Sequence, residues 1–183
     1  MNYFKHDTAL VATGARIGEG TRVWAFVNIQ DGVVIGRNGN ICDCCFVEKN
    51  VVIGDNVTVK NGVSVFEGVT LEDDVFVGPN ATFINDRHPR SRRADWKMEK
   101  TLVRKGAAIG ANATVMCGIT IGAFAVIGAG AVVLKDVPAH AMVVGNPARQ
   151  VGWVSHDGER LNGKLESPSG AAYRKTGNGL ERI

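Results

Sequence analysis

A chain of 183 residues, 45% hydrophobic and 21% charged, has the size of one domain with its own core. A net charge of +3, with no basic block interleaved with aromatics, argues against nucleic acid as a partner, and the N-terminal MNYFKHDTAL lacks the apolar stretch of a secretory leader. The longest weakly charged run, Ile119 to Leu134, is shorter than the roughly 20 residues of a membrane helix, so composition predicts a cytoplasmic protein without membrane insertion.

The first element is a repeat. Stepping by six from Val11 meets Ile17, Val23, Ile29, Ile35, Ile41, Val47, Ile53, Val59, Val65, Leu71, Val77 and Phe83, without a polar residue. Two places before these stand small or β-branched residues, among them Ala15, Thr21, Val27, Gly39, Cys45 and Val57. A period of six fits neither a helix nor a simple meander. Residues two apart on a strand point to one side, and the Gly, Asn and Asp between them turn corners. The 23 glycines therefore serve regular turns, and the 5 prolines are too few for a disordered chain. Three units close one triangular coil, and coils stack through parallel hydrogen bonds. Cys42, Cys44, Cys45 and Cys117 show no paired C-x-x-C arrangement and read as small reduced thiols packed inside, without metal.

At Phe83 the ladder breaks, and it resumes 20 residues later at Val103. Ile109, Val115, Ile121, Ile127 and Val133 follow, which makes nineteen rungs, or about six coils. The inserted segment, NDRHPRSRRADWKMEK from Asn85 to Lys100, adds nothing to a solenoid's stability and is therefore expected to be functional. It carries Asp86, Arg87, His88, Arg90, Arg92, Arg93, Asp95, Trp96 and Glu99. After Val133, Pro138 and Pro147 are expected to stop regular pairing. The chain thus divides into a β-helix over 1–150 and a polar extension over 151–183, in which GERLNGKLES and TGNGLERI form short hairpins or cap the end, or which is partly mobile.

The repeats, with IGANATVMCGITIG, VIGAGAVVLKDVP and VVGNPARQVGW, resemble the hexapeptide-repeat acyltransferases over nearly the whole chain. The resemblance implies an all-β fold, a left-handed parallel β-helix of hexapeptide repeats with one long inserted loop. It also implies acetyl-CoA as co-substrate, no metal, and a homotrimer with coenzyme A in the grooves between neighbouring prisms. The run LEDDVFVGPNATFINDRHPRS is similar to nucleotide-sugar 3-N-acetyltransferases. NICDCCFVEKNVVIGDNVTVKNGV leans toward enzymes of dTDP-3-amino-3,6-dideoxyhexoses in surface polysaccharide biosynthesis, whereas CGITIG…GWVSHDGERL leans toward those of UDP-2-acetamido-3-amino-2,3-dideoxyglucuronate. The first is favoured.

Acyl transfer needs a neutral amine, an approach to the thioester carbonyl and donors for the oxyanion. His88, in D-R-H-P, is similar to the His-Pro of galactoside-type acetyltransferases, where the histidine is the base. The alternatives are a polar loop contact or unaided attack by the amine. Asn85 and Asp86 are candidates to orient the amine or receive its ammonium form, against plain corner chemistry. Glu67 matches an acidic place in the subgroup and is a candidate sugar contact, against a solvated corner. Arg87, Arg90, Arg92 and Arg93 suit a diphosphate or a carboxylate through forked donors, against a plain solvated basic face. Lys135 and Arg149 resemble residues that meet coenzyme A phosphates, and Gly110, Ala111, Gly128 and Ala129 those along its pantetheine arm. Trp24 and Trp153 are expected at coil edges or between subunits.

Two other classes compete. A carbonic anhydrase of this fold needs three zinc-binding histidines, two of them close in sequence, and His6, His88, His140 and His156 are widely spaced. A non-catalytic scaffold would need neither NDRHPRSRR nor GNPAR. A sugar O-acetyltransferase is a further alternative, since a hydroxyl needs a base more than an amine does.

Overall fold

The computed structural model describes residues 2–92 and 95–183, and the fold is built from strands without a helix. Most strands are only two residues long, and the nineteen from Leu10–Val11 to Val132–Val133 each end on one of the nineteen ladder residues. The strands form three parallel sheets that wall a prism. The first face begins with Phe4–Lys5, the second with Leu10–Val11 and the third with Arg16–Ile17. Successive strands on one face lie 18 residues apart, as in the pairings of Arg22 with Asn40, Asn40 with Thr58, and Thr58 with Phe76.

Alternation explains the core. The ladder residue and the residue two before it point inward, so Val57 and Val59 are both fully buried while Thr58 between them reaches the surface. Val11 and Ile17 are half-buried because no coil lies above them. Corners between faces take positive φ at the last turn residue, as at Asn38, Asn56 and Asp74, where short polar side chains tolerate that conformation. These side chains also bond from coil to coil, Asn56 Nδ2 to Asp74 Oδ1 at 2.9 Å.

The structure extends the repeat at both ends. Phe4–Lys5 pairs with Arg22–Val23, one strand ahead of the rung where the six-step ladder begins. Pairing also continues past Pro138: Val137 bridges Ile121, and Ala141–Val144 pairs with Val126–Ile127. Pro138 lies at a corner, where no ladder hydrogen bond is asked of it. Regular stacking stops where Arg149–Trp153 folds back antiparallel on Ala141–Val144, across the cis Asn146–Pro147 bond.

The extension is folded through its last residues. Tyr173–Thr176 and Gly179–Arg182 form a hairpin, and Leu161, Tyr173 and Leu180 bury a second small core against Trp153. The joint between tail and prism is aromatic. His140, 3% exposed, stacks on Phe124 one coil above it at 5.2 Å and meets His156 at 4.8 Å. His140 Nδ1 contacts the Val154 carbonyl at 2.9 Å, and His156 Nδ1 contacts the Tyr173 hydroxyl at 2.9 Å. Trp24 lies on Phe4 at the first face, and its indole N–H donates to Asn40 Oδ1 at 2.8 Å. Of the four free cysteines three are buried, while Cys44 is exposed at a corner.

Two outcomes follow. Leu71→Ala, which empties a fully buried central site, is expected to cost about 2–5 kcal/mol by denaturant unfolding. Burial lowers the pKa of both His140 and His156, and Arg182 lowers that of His156 further. The folded joint therefore binds fewer protons than the unfolded chain. Its contribution is complete above the ordinary histidine value of about 6.5 and is lost as pH falls through the lowered values. Melting temperature should drop between pH 7.5 and pH 5, and less so in His156→Gln; a melting temperature that does not change with pH would contradict this.

Candidate active site

Coil register decides which candidate residues meet. On the second face Ser64 pairs with Thr82, Thr82 with Thr114, and Thr114 with Val132. The residues three beyond these, Glu67, Asn85, Cys117 and Lys135, therefore stack on the edge between the second and third faces. At about 4.8 Å per coil, Glu67 stands one step above Asn85 and Lys135 two steps below it. The inserted segment leaves the prism at this edge, after Thr82–Phe83 on the second face, and returns at Thr101–Val103 on the third. Sheet pairing runs on across the insertion, from Thr70 to Leu102 to Thr120, so the loop projects without disturbing the stack.

Glu67 is held from three sides. Its Oε1 accepts from Asn50 Nδ2 at 2.9 Å, its Oε2 lies 3.5 Å from Lys49 Nζ, and its backbone N–H donates to Glu48 Oε2 at 2.8 Å. Asn85 and Asp86 are half-buried, and Asp86 Oδ1 accepts the His88 backbone N–H at 2.9 Å. This Asx turn fixes the direction in which the chain departs. The His88 ring is exposed and bears electrostatically on Glu99.

The sequence groups Arg87 with the other loop arginines, and the structure separates it from them. Its guanidinium forks onto Glu99 at 3.0–3.1 Å and donates to the Cys117 carbonyl at 2.7 Å. The pair raises the pKa of Arg87 and lowers that of Glu99. Two shallow cavities flank the half-exposed Trp96. One, of about 250 Å³, is lined by Asp86, Arg87, His88 and Glu99. The other, of about 370 Å³, is lined by Asn85, Asp86, Arg90 and Arg92. Arg93 lies outside the described residues.

The remaining candidates fall in two places. Lys135 and Arg149 line one cleft of about 230 Å³ with Leu134, Pro138 and Asp136, whose Oδ1 accepts the Thr120 N–H. Two cations beside an apolar wall suit a phosphate on an organic arm. Gly110, Ala111, Gly128 and Ala129 lie on a different edge, between the first and second faces, in adjacent coils. A Cβ on Gly110 would come 2.5 Å from the Ala129 backbone nitrogen, so coil stacking alone requires glycine there. The outcome is a smooth strip open to solvent at Ala129. Within one chain this strip and the Asn85 edge are separated by the whole second face.

Sequence reasoning overlooked Glu99 as a partner of Arg87, together with Gly68 and Gly118, which make room for the loop. Gly118 takes φ +74, and a Cβ there would stand 2.3 Å from Glu99 Oε2; a Cβ on Gly68 would stand 2.8 Å from Met98 Sδ. Among the described residues no three His, Cys, Asp or Glu side chains gather as a metal site, and no helix is long and apolar enough to cross a membrane.

A parallel β-helix of hexapeptide coils, interrupted by one polar loop beside a cationic cleft, defines a hexapeptide-repeat acyltransferase. Residues 100–135 match the family described as bacterial transferase hexapeptide (six repeats). The dTDP-3-amino-3,6-dideoxy-alpha-D-galactopyranose 3-N-acetyltransferase of Aneurinibacillus thermoaerophilus is 50% identical over 151 residues, 82% of this chain and 78% of that protein. The chain belongs to the nucleotide-sugar 3-N-acetyltransferases of the hexapeptide-repeat family. A histidine variant of GDP-perosamine N-acetyltransferase from Caulobacter crescentus, solved with CoA and GDP-perosamine, superposes with a TM-score of 0.53 at 27% identity over 80% of this chain and 55% of that one. A maltose O-acetyltransferase from Clostridium difficile 630 gives 0.52 at 27% identity, over 61% of this chain and 67% of its own.

If the Lys135–Arg149 cleft receives phosphate, Lys135→Ala and Arg149→Ala should each raise KM for acetyl-CoA about tenfold and leave kcat within about twofold in a thiol-release assay. An unchanged KM in both would remove the cleft from the coenzyme site.

Proposed function

We propose that the protein transfers the acetyl group of acetyl-CoA to the 3-amino group of a dTDP-linked 3-amino-3,6-dideoxyhexose, in the cytoplasm, as a step of surface polysaccharide biosynthesis. The observation that supports this reading is the placement of Glu67 one coil above Asn85 beside the loop, in a chain 50% identical over 151 residues to an enzyme of that name. Glu67, already fixed by Lys49 and Asn50, presents a carboxylate to a sugar hydroxyl. The Asn85 amide orients the incoming nitrogen, and the Asp86 carboxylate receives its ammonium form. His88, whose backbone N–H is held by Asp86, is the base of this reading and takes the amine proton. Arg90 and Arg92 suit the diphosphate.

Acetyl-CoA supplies the activated acyl group as a thioester. The strip at Gly110, Ala111, Gly128 and Ala129 fits its pantetheine arm, and Lys135 and Arg149 fit its phosphates. Because the strip and the Asn85 edge border opposite sides of one face, a homotrimer with that face against a neighbour would complete each centre from two copies.

The test is free-thiol release from acetyl-CoA with dTDP- and UDP-linked 3-amino sugars, on the native protein and on His88→Ala. Turnover with the dTDP substrate and a loss greater than about tenfold in His88→Ala are expected. Preference for the UDP-linked glucuronate would reassign the nucleotide sugar. No turnover on any amino sugar would overturn the function, and a loss smaller than tenfold would remove His88 as the base.

A further inference from the structure

The functional loop needs two fixed ends if Asn85 and Asp86 are to present one geometry. Its first end is fixed through Arg87, the residue immediately after Asp86. The three hydrogen bonds of the Arg87 guanidinium to Glu99, with a fourth to the Cys117 carbonyl, tie the outgoing strand, the incoming strand and the next coil at one point. Its second end is fixed one residue before Glu99, where Met98 rests on Gly68 in the coil above. Thr101 then donates its N–H to the Gly68 carbonyl at 3.0 Å and re-enters the third face. Gly118 leaves no side chain beneath the ion pair, since a Cβ there would stand 2.3 Å from Glu99 Oε2 and 3.2 Å from Arg87 Nη2.

We propose that Arg87 and Glu99 are positioning residues for the acetyl transfer: a clasp, seated on Gly118 and the Cys117 carbonyl, that closes the loop and holds the Asn85–Asp86–His88 turn against the stacked edge. The proposal rests on the acyl-transfer reading of that turn. It also assigns Arg87 away from the substrate's phosphates, because its Nε–Nη2 fork, the edge suited to a phosphate, is already taken by the Glu99 carboxylate and the Cys117 carbonyl. Arg90 and Arg92, which line the cavity on the other side of Trp96, are left to meet anions.

Both partners are partly exposed, at 35% and 41% for the side chains, so the pair contributes little to global stability and acts on local order. That separates the clasp from a general structural role. Arg87→Ala, Glu99→Ala and the double variant are compared in three measurements: melting temperature, tryptic cleavage within the loop at Arg90 and Arg92, and steady-state kinetics with acetyl-CoA and a dTDP-linked 3-amino sugar. The clasp predicts melting temperatures within a few degrees of native and faster loop cleavage. It predicts a kcat loss of about tenfold or more in each single variant, unchanged KM for acetyl-CoA, and no further loss in the double variant. Glu99→Gln, which keeps hydrogen bonds without charge, should recover part of the loss, whereas Gly118→Ala should reproduce it.

If Arg87 instead binds the diphosphate, Arg87→Ala alone will raise KM for the nucleotide sugar while Glu99→Ala stays near native, and the clasp is refuted. Cleavage rates equal to native in both single variants refute it equally, and without reference to activity. A native protein that turns over no amino sugar refutes the acetyl-transfer reading alone, since the cleavage comparison still reports on the loop.

Discussion

Stacking of one coil on the next at backbone hydrogen-bond distance governs the whole molecule. Coils that approach to about 4.8 Å leave no space for a side chain at certain corner positions, and a Cβ on Gly36 or Gly110 would fall within 2.6 Å of the backbone of the adjacent coil. The same approach brings residues 18 apart in sequence into vertical contact. Arg37 with Asp55, Asn56 with Asp74, and Lys49 with Glu67 are pairs of this kind. A site on such a scaffold takes one side chain from each of several coils, and its precision comes from the sheet beneath it.

The inserted loop exploits this regularity without interrupting it. The third face closes beneath it as though the chain had turned an ordinary corner, and the loop rests on glycines in the coils above and below. Its polar residues therefore begin from a rigid base at Asn85 and Asp86 and become more exposed with distance from it. Rigid residues suit orientation of a reacting amine. The outer arginines and Trp96 suit a larger, variable part of the substrate.

Much of the fold was legible because burial imposes a strict period on Val, Ile and Leu: a slipped unit would turn Ile53 or Val59 to solvent. Phe4–Lys5 was not, since Lys5 offers no aliphatic rung and Phe4 points outward, 47% exposed. In the tail TGNGLERI reads as a hairpin, and Tyr173–Thr176 with Gly179–Arg182 forms one, but the tail's burial was not legible. Its small core draws on Leu161, Tyr173 and Leu180, whose spacing follows hairpin geometry and no repeat. In the site, the six-step pattern located the loop and Asn85 at its start, and family resemblance supplied Glu67. The stacking of these two residues in adjacent coils follows from an 18-residue offset, three units of six, so it could have been read directly. The separation of the Gly110 strip from the Asn85 edge follows from the same counting. The Arg87–Glu99 pair could not be counted out, because it forms within an aperiodic segment where charge order does not determine partners.

In the proposed function, one face of the prism carries an acceptor edge and a coenzyme edge that belong to different reaction centres, each completed by a second copy. The direct measurement is complementation between Asn85→Ala, which disables the acceptor edge, and Ala129→Trp, which blocks the exposed strip without entering the core. Each alone should be inactive, and mixed oligomers should recover acetyl transfer to the amino sugar. Mixed oligomers that form and remain as inactive as either parent would contradict the claim.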